Sequence, residues 1–159
     1  MSIDSQVRFA EEKDIPAIME LLRQVNRVHY EGRPDLFRPS TKYTEEELQA
    51  ILQDPEKPVF VCEDQEGRIL GHGFCMLQRP ENTRLLTDIL TLYIDDICVD
   101  EKARGRHVGK AIYEHILAYA RERGCYNVTL NVWNCNPGAM KFYEKLGLVP
   151  YKVGMETIL

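Results

Sequence analysis

The sequence lacks the features that mark membrane proteins and nucleic-acid-binding proteins. It has no run approaching the ~20 apolar residues that a membrane-spanning helix needs, so we expect no membrane partner. It also has no basic excess, because 25 acidic residues outnumber 20 Lys and Arg and the net charge is −5. Domains that bind nucleic acids usually carry a basic face that neutralises phosphates. We therefore expect no nucleic-acid partner either.

The cysteines lack a pairing pattern. Five are present: Cys62, Cys75, Cys98, Cys125 and Cys135. Their number is odd and they form no CxxC pair, which is unlike a disulfide framework or a zinc site. Residues 1–6 have neither a basic start nor an apolar run and do not resemble a secretory signal. We expect free thiols, no bound metal and a cytoplasmic location, where thiols stay reduced.

The length of 159 residues suits one domain, and no linker or repeat divides the chain. We therefore expect a single domain over 1–159. Apolar alternation and turn residues predict strands at 7–10, 59–63, 69–77, 89–99, 128–133 and 149–157. Helical spacing predicts helices at 14–25, 44–52, 108–123 and 137–146, and a loop lies at 30–43. The expected N-terminal caps are Asp14 for the first helix, a capping box of Thr44 and Glu47 for the second, and Asn136 followed by Pro137 for the last. This order predicts an α/β (α+β) fold with a single mixed, largely antiparallel central sheet and helices on both faces.

A turn rich in glycine and arginine, RGRHVGK at 104–110, lies between an expected strand and an expected helix. Backbone N–H groups in the first turn of a helix lack partners within the helix, and the helix dipole is positive there. Glycines let the backbone approach a ligand, and Arg104 can add a charged contact. The turn therefore favours a pyrophosphate, although a solvated capping turn is the structural alternative. Its spacing matches neither a Walker A loop nor GxGxxG, which makes ATP and NAD poor candidates.

Two motifs resemble those of the GNAT acetyltransferase superfamily. Arg104-x-x-His107-x-Gly109 is similar to the signature Q/R-x-x-G-x-G/A, with His107 where glycine is usual. The segment 136–148, NPGAMKFYEKLGL, resembles N-x-x-A-x-x-F-Y-x-x-x-G-F, with Leu148 in place of Phe. The motifs occur in the expected order, about thirty residues apart, and the element order agrees with the GNAT fold over nearly the whole chain.

The resemblance implies the GNAT acyl-CoA N-acyltransferase fold. It implies an enzyme that transfers the acetyl group of acetyl-CoA directly to a primary amine of a small molecule or protein N-terminus. The backbone of Ile97, Cys98 and Val99 would pair with the pantetheine arm, and the turn 104–110 would hold the pyrophosphate. The implied cofactor-binding residues also include Arg104, Gly105, Arg106, His107, Val108, Gly109, Lys110, Asn136, Ala139, Phe142 and Tyr143. A non-catalytic acyl-CoA-binding domain of the same fold and a Cys-His hydrolase are the alternatives.

Acetyl transfer to an amine needs a base near the nitrogen and an acid near the departing sulfur. Asp95 and Asp96 interrupt an otherwise apolar strand. Because neighbouring strand residues face opposite sides of a sheet, at most one of them is expected to face a given cleft. The resemblance assigns the base to Asp95 and a structural role to Asp96. It also assigns the acid to Tyr143, whose helical spacing by itself indicates a core aromatic.

The amine acceptor is expected to lie against the first helices and the loop 30–43, where Tyr30 and Phe37 offer contacts. The excess of acidic residues favours a cationic acceptor. The sequence does not name the acceptor or the length of the acyl chain. A homodimer is compatible with it.

Overall fold

The computed structural model describes residues 5–81 and 83–159, and within them five strands form one sheet in the order β1-β2-β3-β4-β5. The strands are β1 Ser5–Phe9, β2 Val59–Asp64, β3 Ile69–Gln78, β4 Thr91–Val99 and β5 Asn127–Leu130. The pairs from β1 to β4 are antiparallel, whereas β5 runs parallel to β4. This confirms the predicted mixed, largely antiparallel sheet. The first four residues of the segment 1–6, on which the expectation of no secretory signal depends, lie outside the described residues.

Helices cover both faces of the sheet, as predicted, and the described residues form four α-helices. They are α1 Ile15–Gly32, α2 Glu45–Gln53, α3 Val108–Glu122 and α4 Pro137–Lys145. The apolar faces of α1 and α2 pack on one side of the sheet, and α3 packs on the other. Among the described residues, no helix is long and apolar enough to cross a membrane.

The two glycines of β3 explain how closely α3 approaches the sheet. A Cβ on Gly71 would lie 3.0 Å from Ile112 Cδ1 and 2.8 Å from the carbonyl oxygen of Cys98. A Cβ on Gly73 would lie 3.0 Å from side-chain atoms of Ile112 and Ile116. The strand therefore has no room for side chains at these positions, and α3 packs directly on its backbone.

The N-terminal cap of α2 agrees with the prediction from the sequence, and that of α1 does not. Thr44 accepts a hydrogen bond from Glu47 N, and the Glu47 carboxylate accepts one from Thr44 N, which is the predicted capping box. Asp14 precedes α1 but makes no side-chain cap to it. Its buried carboxylate instead accepts hydrogen bonds from Arg8 and from Glu11 N. The predicted cap at Asp14 is therefore wrong, because the Asp14 carboxylate accepts hydrogen bonds from the Arg8 guanidinium instead of capping α1.

Two predicted boundaries and one predicted strand are also wrong. Helix α1 continues to Gly32, so Tyr30 is helical instead of lying in the loop. Strand β5 ends at Leu130 instead of Trp133. The segment 149–157 is not a strand, although its apolar residues alternate and Val149, Tyr151, Val153 and Met155 are exposed. A strand requires a hydrogen-bonded neighbour, and none of the five described strands pairs with this segment.

Candidate active site

The two parallel strands at the end of the sheet separate partway along their length. β4 pairs with β5 only over Thr91–Ile94, and it continues to Val99 with β3 as its neighbour. Beyond Ile94, the other edge of β4 has no strand partner among the described strands. An unpaired edge offers N–H and C=O groups to an extended ligand. Two cavities open beside this edge.

The first cavity, here called the α3 cavity, has a volume of about 640 Å³ and lies at the beginning of α3. All but one of the predicted cofactor-binding residues line it: Ile97, Cys98, Val99, Arg104, Gly105, His107, Val108, Gly109, Lys110, Asn136, Ala139, Phe142 and Tyr143. Arg106 lies in the same turn but does not line the cavity. The structure therefore brings the two separate sequence motifs together around one space.

The start of α3 has the properties of an anion-binding site. The first helical bond runs from Ala111 N to His107 O, so the N–H groups of Val108, Gly109 and Lys110 have no partner within the helix. These residues line the cavity, where the positive end of the helix dipole lies. The Arg104 side chain adds a formal charge. Together they favour a phosphorylated ligand.

Two residues of this turn have left-handed backbone angles. Gly105 has φ 80° and His107, the N-cap of α3, has φ 60°. A side chain at such an angle is strained, and glycine is not. His107 thus occupies a position whose geometry favours glycine, which is why the motif usually has glycine there.

Helix α4, which carries the second motif, borders the α3 cavity and packs closely against α3. A Cβ on Gly109 would lie 2.9 Å from Phe142 Cζ, so glycine is required for this contact. The Asn136 side chain caps α4 by accepting a hydrogen bond from Ala139 N at 3.2 Å. This cap confirms the reading of Asn136-Pro137 as a helix start.

The second cavity, here called the acidic cleft, has a volume of about 1360 Å³ and lies between β4, β5, α1 and the segment 149–156. It meets the α3 cavity at five residues that line both: Val25, Ile97, Asn136, Ala139 and Tyr143. Burial raises the pKa of Tyr143, and the nearby Asp96 carboxylate raises it further. The phenol at this junction is therefore protonated at neutral pH and can donate a proton.

Asp95 and Asp96 both line the acidic cleft, contrary to the expectation that only one would. Phe74 of β3 pairs with Asp96 and the next residue, Cys75, pairs with Ile94. Asp95 is therefore the extra residue of a β-bulge, where the alternation of side chains is interrupted. The bulge places two consecutive carboxylates on the side of the sheet that α1 and α2 cover.

The two carboxylates have different partners. Asp95 Oδ1 accepts a hydrogen bond from Lys42 Nζ at 2.7 Å, and Asp95 Oδ2 accepts one from the Tyr43 hydroxyl at 2.7 Å. Burial raises the pKa of Tyr43, and the hydrogen bond to Asp95 raises it further, so this phenol remains a donor. Asp96 Oδ2 lies 3.0 Å from Nε2 of His72, which is fully buried in β3.

Three aromatic rings in contact with one another also line the acidic cleft. The His29 ring stacks on Phe37, with centroids 5.0 Å apart, and Trp133 meets Phe37 edge to face at 5.1 Å. All three line the cleft, whereas Tyr30, the other predicted acceptor contact, lines neither cavity. Burial lowers the pKa of His29, although the Asp96 charge acts in the opposite direction.

Sequence reasoning did not single out His29, and it considered His72 only as a possible partner of a cysteine nucleophile. His29 falls near the end of an amphipathic helix, where nothing in the sequence separates it from a surface residue. His72 had a usable signal, because it is a polar residue between two glycines within an apolar strand. Such a side chain is buried and needs a polar partner.

The cysteines are not arranged for nucleophilic chemistry. Cys98 donates a hydrogen bond to the Leu21 carbonyl at 3.2 Å, and burial raises the pKa of both Cys98 and Cys75. His72 pairs with Asp96 and not with a thiol. Both thiols are therefore protonated and lie in apolar surroundings, whereas an activated cysteine nucleophile is a thiolate. Within the described part of the chain, no three metal-ligating side chains come together.

Comparison with known proteins gives the class of this protein. A model of the acetyltransferase (GNAT) family matches residues 17–148. Glucosamine 6-phosphate N-acetyltransferase 1 of Oryza sativa subsp. japonica is 32% identical over 78% of this chain and 75% of that protein. Thialysine N-epsilon-acetyltransferase of Bos taurus is 26% identical over 89% of this chain and 82% of that protein. A mutant of the BH1408 protein from Bacillus halodurans has a crystal structure with a TM-score of 0.93 and 30% identity, over 97% of this chain and 99% of that one.

The chain belongs to the GNAT acetyltransferase family. It is an N-acetyltransferase that acts on an amine and depends on acetyl-CoA. This confirms the resemblance that the two motifs indicated, and no comparison supports a non-catalytic binding domain.

Replacing His107 with glycine is expected to preserve or increase the affinity for acetyl-CoA. The left-handed angle costs a non-glycine residue about 1–2 kcal/mol, and glycine loses roughly 0.5–1 kcal/mol more backbone entropy on folding. The free energy of unfolding should therefore rise by at most about 1.5 kcal/mol. Calorimetry and thermal denaturation measure both quantities.

His107→Ala is the matched control, because it removes the imidazole and keeps the strain. If both variants lose affinity to a similar and large extent, the imidazole itself contacts the ligand and the expectation is wrong.

Proposed function

We propose that the α3 cavity binds acetyl-CoA and that the acidic cleft binds the amine, so that the two meet at Tyr143. The observation that carries this proposal is that the two cavities share Tyr143, while the unpaired edge of β4 borders both. A transfer reaction needs two binding sites with one common point, and this arrangement provides it.

The residues present fit acetyl-CoA. The N–H groups that begin α3 and the Arg104 side chain suit a pyrophosphate, since both attract anions. The free edge of β4 from Ile97 to Val99 suits an extended arm that carries amide groups. Arg106, which does not line the cavity, is proposed to reach toward a phosphate outside it, where solvated charge contributes little.

In the proposed mechanism, acetyl-CoA supplies an acetyl group held as a thioester. The acceptor aminium first releases one proton to solvent. A carboxylate of the pair Asp95 and Asp96 takes a second proton from the nitrogen as the nitrogen forms a bond to the acetyl carbon and the carbon–sulfur bond breaks. Tyr143 gives its phenol proton to the departing sulfur. The proton held by the carboxylate returns to the phenolate through solvent, so one proton has moved from nitrogen to sulfur overall.

The charges of the acidic cleft support a small cationic amine without a phosphate group as the acceptor. Arg33 already binds the carboxylates of Asp35 and Glu156, and Lys42 binds Asp95. A phosphate on the acceptor would have to compete with these partners at Arg33 and Lys42, whereas Lys152, which also lines the cleft, makes no salt bridge within the described part of the chain. Carboxylates that line the cleft, by contrast, attract an aminium group.

Product analysis with matched amines tests the proposal. The protein is incubated with acetyl-CoA and with glucosamine, glucosamine 6-phosphate or thialysine, and acetylated product is measured by mass spectrometry. We expect acetylation of at least one amine, with kcat/KM for glucosamine at least equal to that for its 6-phosphate. A strong preference for the phosphorylated sugar would contradict the acceptor class. Absence of product from every amine, with no rise in Tm at millimolar acetyl-CoA, would contradict the proposed function.

We further propose that the enzyme works in the cytoplasm as a homodimer. All five cysteines are free, which supports a reducing compartment. The exposed apolar side chains of 149–159 support association with a second copy, because contiguous apolar surface usually marks an interface.

A further inference from the structure

One buried polar group has no role in the mechanism above. His72 lies in the middle of β3 with none of its surface exposed, and its ring meets Phe74 edge to face at 4.9 Å. Its Nε2 lies 3.0 Å from Asp96 Oδ2. Its Nδ1 is buried and has no hydrogen-bond partner among the described residues. A fully buried imidazole with one polar contact and one unused nitrogen requires an explanation.

The unused nitrogen determines where the proton of His72 lies. A proton on Nδ1, in either the cation or the other neutral tautomer, would be a buried donor without an acceptor, which is costly. If the proton is on Nε2, Nδ1 carries only a lone pair, and no buried donor is left without an acceptor. His72 is therefore neutral and donates from Nε2, and Asp96 accepts as a carboxylate.

The hydrogen bonds leave the two carboxylates unequal as bases. Both oxygens of Asp95 accept hydrogen bonds, one of them from a lysine, so protonating Asp95 would break an ion pair. Asp96 receives its hydrogen bond on Oδ2 alone among the described residues, and its side chain is 13% exposed in the cleft. Oδ1 of Asp96 thus remains available to an amine.

We propose that Asp96 is the base of this acetyltransferase and that His72 is a positioning residue that directs its free oxygen toward the acceptor. Asp95 then fixes Lys42 at the wall of the cleft and binds the Tyr43 hydroxyl. The inference rests on the proposed function, since it specifies which carboxylate takes the proton. The proton passes from the acceptor nitrogen to Asp96 Oδ1, while the proton on His72 Nε2 stays in place.

Paired substitutions test the two halves of the inference. Asp96→Asn and Asp95→Asn each remove one negative charge and keep the shape. With an amine that the wild-type protein acetylates, Asp96→Asn should lower kcat about 10²-fold. Asp95→Asn should change kcat less than Asp96→Asn and act mainly on KM, because it releases Lys42 in the cleft. The reverse order of the two effects would overturn the assignment of the base.

For His72, the pair is His72→Gln and His72→Asn. A glutamine amide reaches the position of Nε2 and can replace its hydrogen bond, whereas the shorter asparagine amide lies near Nδ1. We expect His72→Asn to lower kcat about tenfold or more with KM little changed, and His72→Gln to recover most of the loss. Equal activity of the two variants, whether both normal or both low, would overturn the positioning role.

The pH profile supplies a readout that altered packing alone does not predict. Losing the hydrogen bond from His72 disfavours the Asp96 carboxylate, so the acidic limb of kcat/KM should move to higher pH in His72→Asn. The other titratable groups around Asp96 are His29 from α1, Tyr43 before α2, Cys98 on β4 and Tyr143 from α4, besides the neighbouring Asp95. Asp96→Asn should abolish the limb that moves. A limb that persists in Asp96→Asn would belong to one of these groups and would contradict the inference.

Failure of the inference and failure of the proposed function give different results. A wild-type protein that acetylates no amine contradicts the proposed function. An active wild-type protein with a normal Asp96→Asn variant contradicts only the inference. If His72→Asn does not fold, as thermal denaturation would reveal, the comparison of Asp96→Asn with Asp95→Asn still decides the base, because both side chains border the cleft.

Discussion

Tyr143→Phe is expected to lower kcat by about 10²–10⁴-fold, the usual contribution of a positioned general acid. The substitution keeps the aromatic ring, and with it the edge-to-face contact to Phe142 at 5.0 Å. It removes the only proton that the side chain can donate. Because burial and Asp96 raise the pKa of this phenol, it is present as the acid throughout the neutral range. The Tm and the affinity for acetyl-CoA should therefore change little.

The loss should appear in kcat more than in KM, because the phenol acts as the sulfur gains negative charge. An acyl donor whose leaving thiol is more acidic needs less protonation and should restore part of the rate. Tyr119→Phe is the matched control, since it removes a phenol from an aromatic cluster remote from both cavities. A Tyr143→Phe enzyme with near-normal kcat would make Tyr143 a packing residue only.

The second large effect is expected for Arg104→Ala, which should weaken acetyl-CoA binding by roughly 10–10²-fold. This corresponds to about 1.5–3 kcal/mol for a hydrogen bond to a charged group. Arg104 lines the α3 cavity at the N-terminus of α3, so its loss leaves the backbone N–H groups to bind the pyrophosphate alone. Calorimetric titration measures the change.

Acetyl-pantetheine, which lacks the pyrophosphate, separates this role from a structural one. Its binding should be nearly the same in wild-type protein and Arg104→Ala. Arg121→Ala removes the same charge from the exposed far end of α3 and should leave both affinities unchanged. Equal losses for acetyl-CoA and acetyl-pantetheine would place the contribution of Arg104 away from the phosphates.

Local patterns in the sequence predicted the parts of the fold that depend on neighbours along the chain. The capping box at Thr44 and the cap at Asn136 were correct, because each satisfies N–H groups within one turn. The two GNAT motifs likewise identified the residues that line the α3 cavity, because each motif includes the start of a helix, which forms from neighbouring residues.

Features that depend on contacts between different elements of the fold could not be predicted in this way. The cap expected at Asp14 was wrong because Arg8 binds its carboxylate. The strand expected at 149–157 was wrong because alternation indicates a strand but provides no partner for it. In both cases the hydrogen-bond partner depends on the folded structure, and the spacing of residues along the chain does not determine it.

The sequence by itself determined the family of this protein, and it identified the turn before α3 that is proposed to bind the cofactor and the two acidic residues and one tyrosine that are proposed for the chemistry. Only the tertiary structure decided how the acids differ. At the bulge, β4 has one residue more than β3, which is Asp95. Both carboxylates therefore lie on the side of the sheet that α1 and α2 cover. Lys42 and Tyr43 then donate hydrogen bonds to the two oxygens of Asp95, while His72 pairs with one oxygen of Asp96. Those partners come from a loop and from another strand, 24 to 53 residues away along the chain, and only folding brings them to the carboxylates.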